Sequence, residues 1–272
     1  MKSKGLNKNK IWQKKSLGQV FLQTKDPIDK VVAKLKEWGV TRVLEIGAGE
    51  GVLTFALADA GMAVTSLEKD ERFYTQLLIK QETMTVNLNL VCVDVMEFDF
   101  SGWIDAEQGV CAIVGNIPYN LSSAILMKTI EPLSKLAGSI FLTQLEFAKR
   151  ITSDHGNKSY GSLSVFTQLR AKSEFLGMVP KEDFFPVPKV DSALFSLVPR
   201  TDLNLNPARL RKVEVVCRAA FSQRRKKLHN TLKSFFNKLE IEKCPIDLEL
   251  RPERLAPEDF IALAKFCFPE VF

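Results

Sequence analysis

Histidine is almost missing from this chain: His155 and His229 are the only two in 272 residues. Neither has a second ligand type at metal-binding spacing, so no metal site is expected. The five cysteines (Cys92, Cys111, Cys217, Cys244 and Cys267) are odd in number and form no C-x-x-C pair. That argues against a disulfide framework and for a reduced, cytosolic setting. Apolar runs long enough to span a bilayer are lacking, and no hydrophobic signal region follows the first lysines. Arginine does not occur before Arg42, which speaks against an arginine-rich transit peptide. The expectation is a soluble cytoplasmic protein that has no membrane partner.

Acidic residues are also absent from the opening stretch, where Lys2, Lys4, Lys8, Lys10, Lys14 and Lys15 stand uncompensated. A second basic run holds Arg218, Arg224, Arg225, Lys226 and Lys227. Over the whole chain, 38 Lys+Arg against 32 Asp+Glu leave a net charge of +6. Such an excess, concentrated in two patches, suits a polyanion such as nucleic acid, with solvated surface as the bland alternative. With 46% hydrophobic residues the chain is long enough to bury a sizeable core.

The pattern divides the chain into a basic arm over 1–25, an α/β domain over 26–200 and a small helical domain over 201–272. In "DPIDKVVAKLKEWGV", Asp26 is expected to cap a helix, with Pro27 in the first turn and Ile28, Val31, Val32 and Leu35 on its apolar face. The apolar segments "RVLEI", "AVTSLE", "LNLVCVDV", "CAIVGN" and "SIFLTQ" read as buried strands with helical segments interspersed. Alternating strands and helices predict βαβ units and a mostly parallel, doubly wound sheet. Beyond a proline-rich loop, Val190, Ser192, Leu194, Ser196 and Val198 alternate as an antiparallel strand would. From Ala208 onward the segments are helical by pattern.

"EIGAGEG" places Gly47, Gly49 and Gly51 where a strand would turn into a helix and the backbone must approach a ligand closely. Glu68 ends the next strand, where a carboxylate accepts from ribose hydroxyls. A dinucleotide site is one reading of such a loop. The spacing is G-x-G-x-G, however, and no basic residue stands in the turn to hold a pyrophosphate. A phosphate-free cofactor, S-adenosylmethionine, is preferred. Asp94, after the third strand, can accept from the exocyclic amine of an adenine, although Asp in that place is often only a turn residue. Open α/β sheets bind ligands at their carboxyl edge, so these groups would share one crevice.

"GNIPYN" ends the fourth strand beside that crevice. An aromatic amine is a poor nucleophile because its lone pair is delocalised into the ring. The side-chain oxygen of Asn116 and the carbonyl of Pro118 could accept its two hydrogens and favour a pyramidal nitrogen. Tyr119 offers a face for the base, worth roughly 1–3 kcal/mol. Positioning and electrostatics would then carry the catalysis.

Together with "KKSLGQVFL", "NKSYGSLSV", "FFPVPKVDSA" and "FSQRRKKLHNTL", these motifs resemble the small-subunit (16S-type) ribosomal RNA adenine N6,N6-dimethyltransferases over nearly the whole chain. The resemblance implies a Rossmann-like S-adenosylmethionine-dependent methyltransferase domain with a small C-terminal helical domain. It implies that Leu22, Gly47, Glu68, Asp94 and Asn116 line the donor site, and that Asn116, Pro118 and Tyr119 hold the target amine. Phe184 would stack on the base from the other side. The implied substrate is a pair of adjacent adenosines in a hairpin loop near the 3′ end of small-subunit rRNA. The expected partner is that RNA, free or in an immature small ribosomal subunit, and the expected state of the protein is a monomer. Two departures stand out: Val20 replaces a usual asparagine, and Leu145 replaces a usual lysine.

"FSQRRKKLHNTLKSFF" reads as a helix with Leu228, Leu232 and Phe235 buried. Arg224, Arg225, Lys226 and Lys227 near its start would oppose the macrodipole and call for an outside anion. RNA phosphate is the candidate there and at Lys14 and Lys15, with salt-sensitive binding. Three other functions fit parts of the pattern: a large-subunit rRNA adenine methyltransferase of the antibiotic-resistance type, a non-catalytic RNA-binding assembly or transcription factor, and a DNA adenine methyltransferase. Intact Asn116, Pro118 and Tyr119 argue against a pure binding factor. The DNA enzymes prefer a second proline where Ile117 stands.

Overall fold

The computed structural model describes residues 20–203, 205–236 and 241–272. Its strands are β1 (Phe21–Leu22), β2 (Arg42–Ile46), β3 (Ala63–Glu68), β4 (Leu88–Cys92), β5 (Cys111–Asn116), β6 (Gly138–Gln144), β7 (Ala171–Val179), β8 (Phe184–Phe185) and β9 (Ser192–Pro199). Seven of them form one sheet in the order β4-β3-β2-β5-β6-β9-β7. From β4 to β6 all neighbours are parallel. β9 then runs antiparallel between β6 and β7. Helix α1 (Asp26–Glu37) leads into β2, and α2 (Val52–Asp59), α3 (Glu71–Gln81), α4 (Phe100–Asp105) and α5 (Ser122–Ile130) supply the crossovers.

Every residue of β2 is buried, as are the first residues of β5 and β6, because helices cover both faces of the sheet. Val43, Ala112 and Val114 pack into one core. Leu44, Ile46 and Ile113 pack into the other. β9 shares this environment: Ser192 and Ser196, which the alternation suggested for a polar face, are 0% and 1% exposed. Their hydroxyls find partners inside the protein, Tyr119 for Ser192 and Glu174 for Ser196. Asp26 does not cap α1. Lys25 holds that position in a helical conformation, and Asp26 joins Asp29 in the first turn, where both complement the helix dipole.

The pattern analysis assigned no element to β7. "AKSEFLGMV" carries Lys172, Glu174 and a glycine, and its register shifts between Phe175 and Gly177. Charges and a bulge are how an edge strand avoids pairing with a second chain, and both weaken the period-two signal.

After β6 come α6 (Leu145–Ile151) and α7 (Ser162–Gln168), and after β9 come α8 (Pro207–Phe221), α9 (Leu228–Thr231), α10 (Lys233–Phe236) and α11 (Pro257–Cys267). Tyr160, Val165 and Phe166 join Val213, Val216, Phe260 and Leu263 in a third core. The helix expected to contain the basic tetrad is instead a turn between two helices. α8 ends at Phe221, and α9 is four residues long and begins only at Leu228. Backbone bonds from Leu228 to Leu250 and from His229 to Leu248 pull the chain out of the helical path. The macrodipole argument for an anion at this place therefore lapses.

Candidate active site

One cavity of about 420 Å³ opens at the carboxyl ends of β2, β3 and β5. Leu22, Gly47, Glu68, Asp94 and Asn116 all line it, so the structure gathers the five residues expected at the donor site. Their convergence follows from strand register. Ile46 pairs with Leu67 on one side and with Gly115 on the other, so the next residues of all three strands emerge together. β1 closes the remaining side through its ladder with β8, in which Leu22 faces Phe184 and Phe21 faces Phe185.

Glycine is required in the loop. Gly49 has φ of +53°, and a Cβ there would lie 2.8 Å from the ring of Phe21. The loop is also fastened to the acid of the neighbouring strand: Gly49 N–H donates to Glu68 Oε2 at 2.8 Å, and Asp70 N–H donates to Oε1 at 2.7 Å. Burial pushes the Glu68 carboxyl above its ordinary range, partly offset by those amides. Asp94 behaves oppositely. The Lys69 ammonium, 2.6 Å from Oδ2, holds its pKa below the usual value, with help from the Met96 amide.

Sequence reasoning gave no role to Glu45, which also lines the cavity although it is only 1% exposed. Its Oε2 accepts from Thr54 Oγ1 at 2.5 Å and from Ser66 Oγ at 2.6 Å. Burial dominates over these hydroxyls and raises its pKa to about 7. The signal was available as an acid inside an otherwise apolar strand, flanked by Leu44 and Ile46.

Asn116 is half-buried, and its amide nitrogen donates to the backbone carbonyl of Val20 at 3.0 Å. The side-chain oxygen is thereby the group left to accept from a ligand. Val20 contributes only aliphatic surface to the cavity, yet its backbone orients the asparagine. The Pro118 carbonyl accepts from Leu121 N–H at 3.0 Å and from Ser122 Oγ at 3.1 Å. Both of its lone pairs are therefore engaged. Ser122 Oγ also lies 2.9 Å from Thr143 Oγ1, where either hydroxyl can donate. If the Ser122 proton turns to Thr143, the Pro118 carbonyl regains an acceptor position.

Two aromatic residues lie differently from expectation. Tyr119 is flanked by the cavity-lining Pro118 and Asn120, but its ring is half-buried beside the cavity and its hydroxyl bonds Ser192 Oγ at 2.7 Å. Phe184 is 2% exposed and packs in the core with Val31, Val179 and Leu194. Successive strand residues face opposite ways, so the neighbouring Phe185 is 44% exposed. No cavity wall is made by Phe184, and a stacking face is not what its ring presents here. Among the proposed RNA contacts, Lys14 and Lys15 lie outside the described residues. The Arg224 guanidinium donates to the carbonyls of Lys158 and Tyr160, and Lys227 Nζ pairs with Glu249 at 2.5 Å.

Residues 11–267 match the model of the family described as ribosomal RNA adenine dimethylase. The chain belongs to that family. A ribosomal RNA small subunit methyltransferase A from Francisella tularensis subsp. novicida is 37% identical over 257 residues, which cover 93% of this chain and 97% of that protein. The 23S rRNA methyltransferase ErmE, whose crystal structure is known, superposes with a TM-score of 0.71 at 28% identity, over 91% of this chain and 99% of its own. A dimethyladenosine transferase from Plasmodium falciparum superposes with a TM-score of 0.75 at 24% identity, covering 92% and 98% respectively, and supports the fold. The Rossmann-like methyltransferase fold expected for the chain is the one it has. Among the described residues no helix is long and apolar enough to cross a membrane.

Proposed function

We propose that this rRNA adenine dimethylase acts on small-subunit rRNA in the cytoplasm. It would transfer methyl groups from S-adenosylmethionine to the N6 amines of two adjacent adenosines in a hairpin loop near the 3′ end. The observation that carries the reading is the placement of Asn116: it lies on the wall of the cavity that gathers Gly47, Glu68 and Asp94, with its amide nitrogen already bound to Val20. The residues fit a donor with a ribose and an adenine but no phosphates. Glu68 offers carboxylate oxygens at a strand end, Asp94 offers an acceptor for an exocyclic amine, and the glycine turn carries no cation. When bound, such a donor supplies an electrophilic methyl group on a cationic sulfur.

The chain supplies orientation. Asn116 Oδ1 accepts one amine hydrogen of the adenine, and the Pro118 carbonyl, released as Ser122 donates to Thr143, accepts the other. Two acceptors on the hydrogens leave the nitrogen lone pair directed into the cavity. Tyr119, anchored by Ser192, bounds the base on the outer side. An immature small subunit is the natural carrier of the loop, met by a monomer. The 37% identity to a ribosomal RNA small subunit methyltransferase A, over 93% of this chain, supports the small-subunit reading.

The test is transfer of labelled methyl groups to immature small subunits, naked small-subunit RNA and large-subunit RNA in parallel, with product nucleosides counted by mass spectrometry. N6,N6-dimethyladenosine confined to small-subunit RNA is expected. Labelling of large-subunit RNA alone would overturn the assignment. Asn116→Ala should lower the transfer rate by about 10²–10³-fold, the usual cost of losing one preorganised polar contact in a transition state. RNA affinity should stay near wild type, and a variant that turns over normally removes the amine clamp.

A further inference from the structure

A second depression, of about 450 Å³, lies outside the donor cavity and is lined by Leu145, Glu146, Lys149, Lys181, Lys189, Val190 and Asp191. Two carboxylates share the recess with the three lysines. Asp191 Oδ1 accepts the Lys181 backbone N–H at 3.0 Å, and Glu146 Oε1 faces Arg150 at 3.4 Å. None of the three lysines forms an ion pair among the described residues. Lys149 and Lys189 are exposed and Lys181 is half-buried. Three ammonium groups from α6 and from both ends of the 181–189 loop therefore converge on one recess and, against the two carboxylates, leave it net positive.

Its location gives the charge a purpose. Leu142 and Leu194 are paired in register and line the donor cavity. Two residues further along the same strands, roughly 7 Å at about 3.4 Å per residue, Gln144 pairs with Ser192. There the Leu145 N–H bonds the Asp191 carbonyl, at the edge of the second recess. Ser192 also holds the Tyr119 hydroxyl, so Tyr119 stands between the two recesses. A nucleotide whose base enters beside Tyr119 would lay its own or its neighbour's phosphate over the lysines.

We infer that this depression is a phosphate subsite, formed by Lys149, Lys181 and Lys189, for the RNA strand next to the target adenosine. The inference rests on the methylation reading above and adds an anion-holding surface to it. Lysine suits the task as a flexible point charge that follows a phosphate without demanding one geometry. Phosphate neutralisation releases counterions, so each contact contributes about 0.7 to the slope of log affinity against log salt for single strands and about 0.9 for duplex.

The experiment measures binding of the hairpin RNA across a salt series, with donor affinity and methyl transfer recorded on the same preparations. The Lys149→Gln/Lys181→Gln/Lys189→Gln variant should lose about two units of salt slope and bind RNA at least tenfold more weakly at low salt. Donor affinity should be unchanged. Leu145→Lys, which adds a charge on the apolar wall, should move the slope the other way by about 0.7. Wild-type slope and affinity in both variants would overturn the subsite while methylation by the wild type stands. Conversely, a wild type that methylates no RNA while the variants shift the slope in opposite directions would sink the methylation reading and leave the phosphate subsite.

Discussion

The cavity at the sheet's carboxyl edge and the basic turn at 222–227 both hold residues that drew notice for their chemistry, but they differ in what determines where those residues go. In the cavity, position is set by the backbone: Gly47, Glu68 and Asn116 stand at or just past the carboxyl ends of adjacent parallel strands, and hydrogen-bonded register brings them together. In the turn, position is set by long side chains choosing among distant partners. Arg224 is engaged by carbonyls of the 158–160 segment and Lys227 by Glu249. Among the described residues Arg225 and Lys226 have no such partner. A run of four cations thus contains two structural contacts and two candidates for RNA. Function written on strand ends can be read locally; function written on surface charge depends on the fold around it.

The phenylalanine pair in β8 is the largest test of that contrast. Phe184 is buried against Val31 and Leu194, so Phe184→Ala should cost about 3–5 kcal/mol in a denaturant titration, as other buried Phe truncations do. Phe185→Ala should leave stability within about 0.5 kcal/mol and affect, if anything, RNA capture. A Phe184→Ala chain with wild-type stability and poor RNA binding would show that its ring leaves the core to meet the base.

Next in size is a pH effect at Glu45. Between the ordinary carboxyl value of 4.5 and about 7, the folded chain retains a proton at Glu45 that the unfolded chain has released. Folding then takes up a proton, so stability falls as pH rises through this window and levels off above it. The total is on the order of 3 kcal/mol. Glu68, also raised, adds in the same direction, whereas Asp94, held low by Lys69, acts oppositely at lower pH. Glu45→Gln keeps an acceptor for Thr54 and Ser66 and should flatten the profile. Denaturation midpoints measured across the window that run parallel for variant and wild type would show that Glu45 is ionised throughout.

Much of this was legible in the chain itself. Parallel buried strands announce themselves as apolar runs, and Gly47, Glu68, Asp94 and Asn116 on the cavity wall follow once those runs are placed, whereas Leu22 came only from the family resemblance. β7 was not legible, because an edge strand with a bulge and charges has lost its alternation. Glu45 was visible but unassigned, since its meaning depends on Thr54 and Ser66 arriving from two other elements. The Pro118 carbonyl looked available and is not, until Ser122 turns away. The lysines of the second depression come from segments some forty residues apart and share no motif.

The smallest effect separates neighbours inside the basic turn. Arg224 joins the turn to the carbonyls that precede α7, and Tyr160, one of those two residues, is fully buried in the C-terminal core. Arg224→Ala should therefore lower stability by about 1 kcal/mol, the net worth of exposed charge-assisted bonds to backbone. Arg225→Ala, one residue on, should leave the melting temperature unchanged and reduce the salt slope of RNA binding by about 0.7–0.9. The two alanine variants differ by one position and no formal charge, so solvated surface would make them alike in both measurements. If Arg224→Ala instead keeps full stability and loses RNA affinity as Arg225→Ala does, the carbonyl contacts yield to phosphate when RNA binds, and the turn is a single four-cation surface.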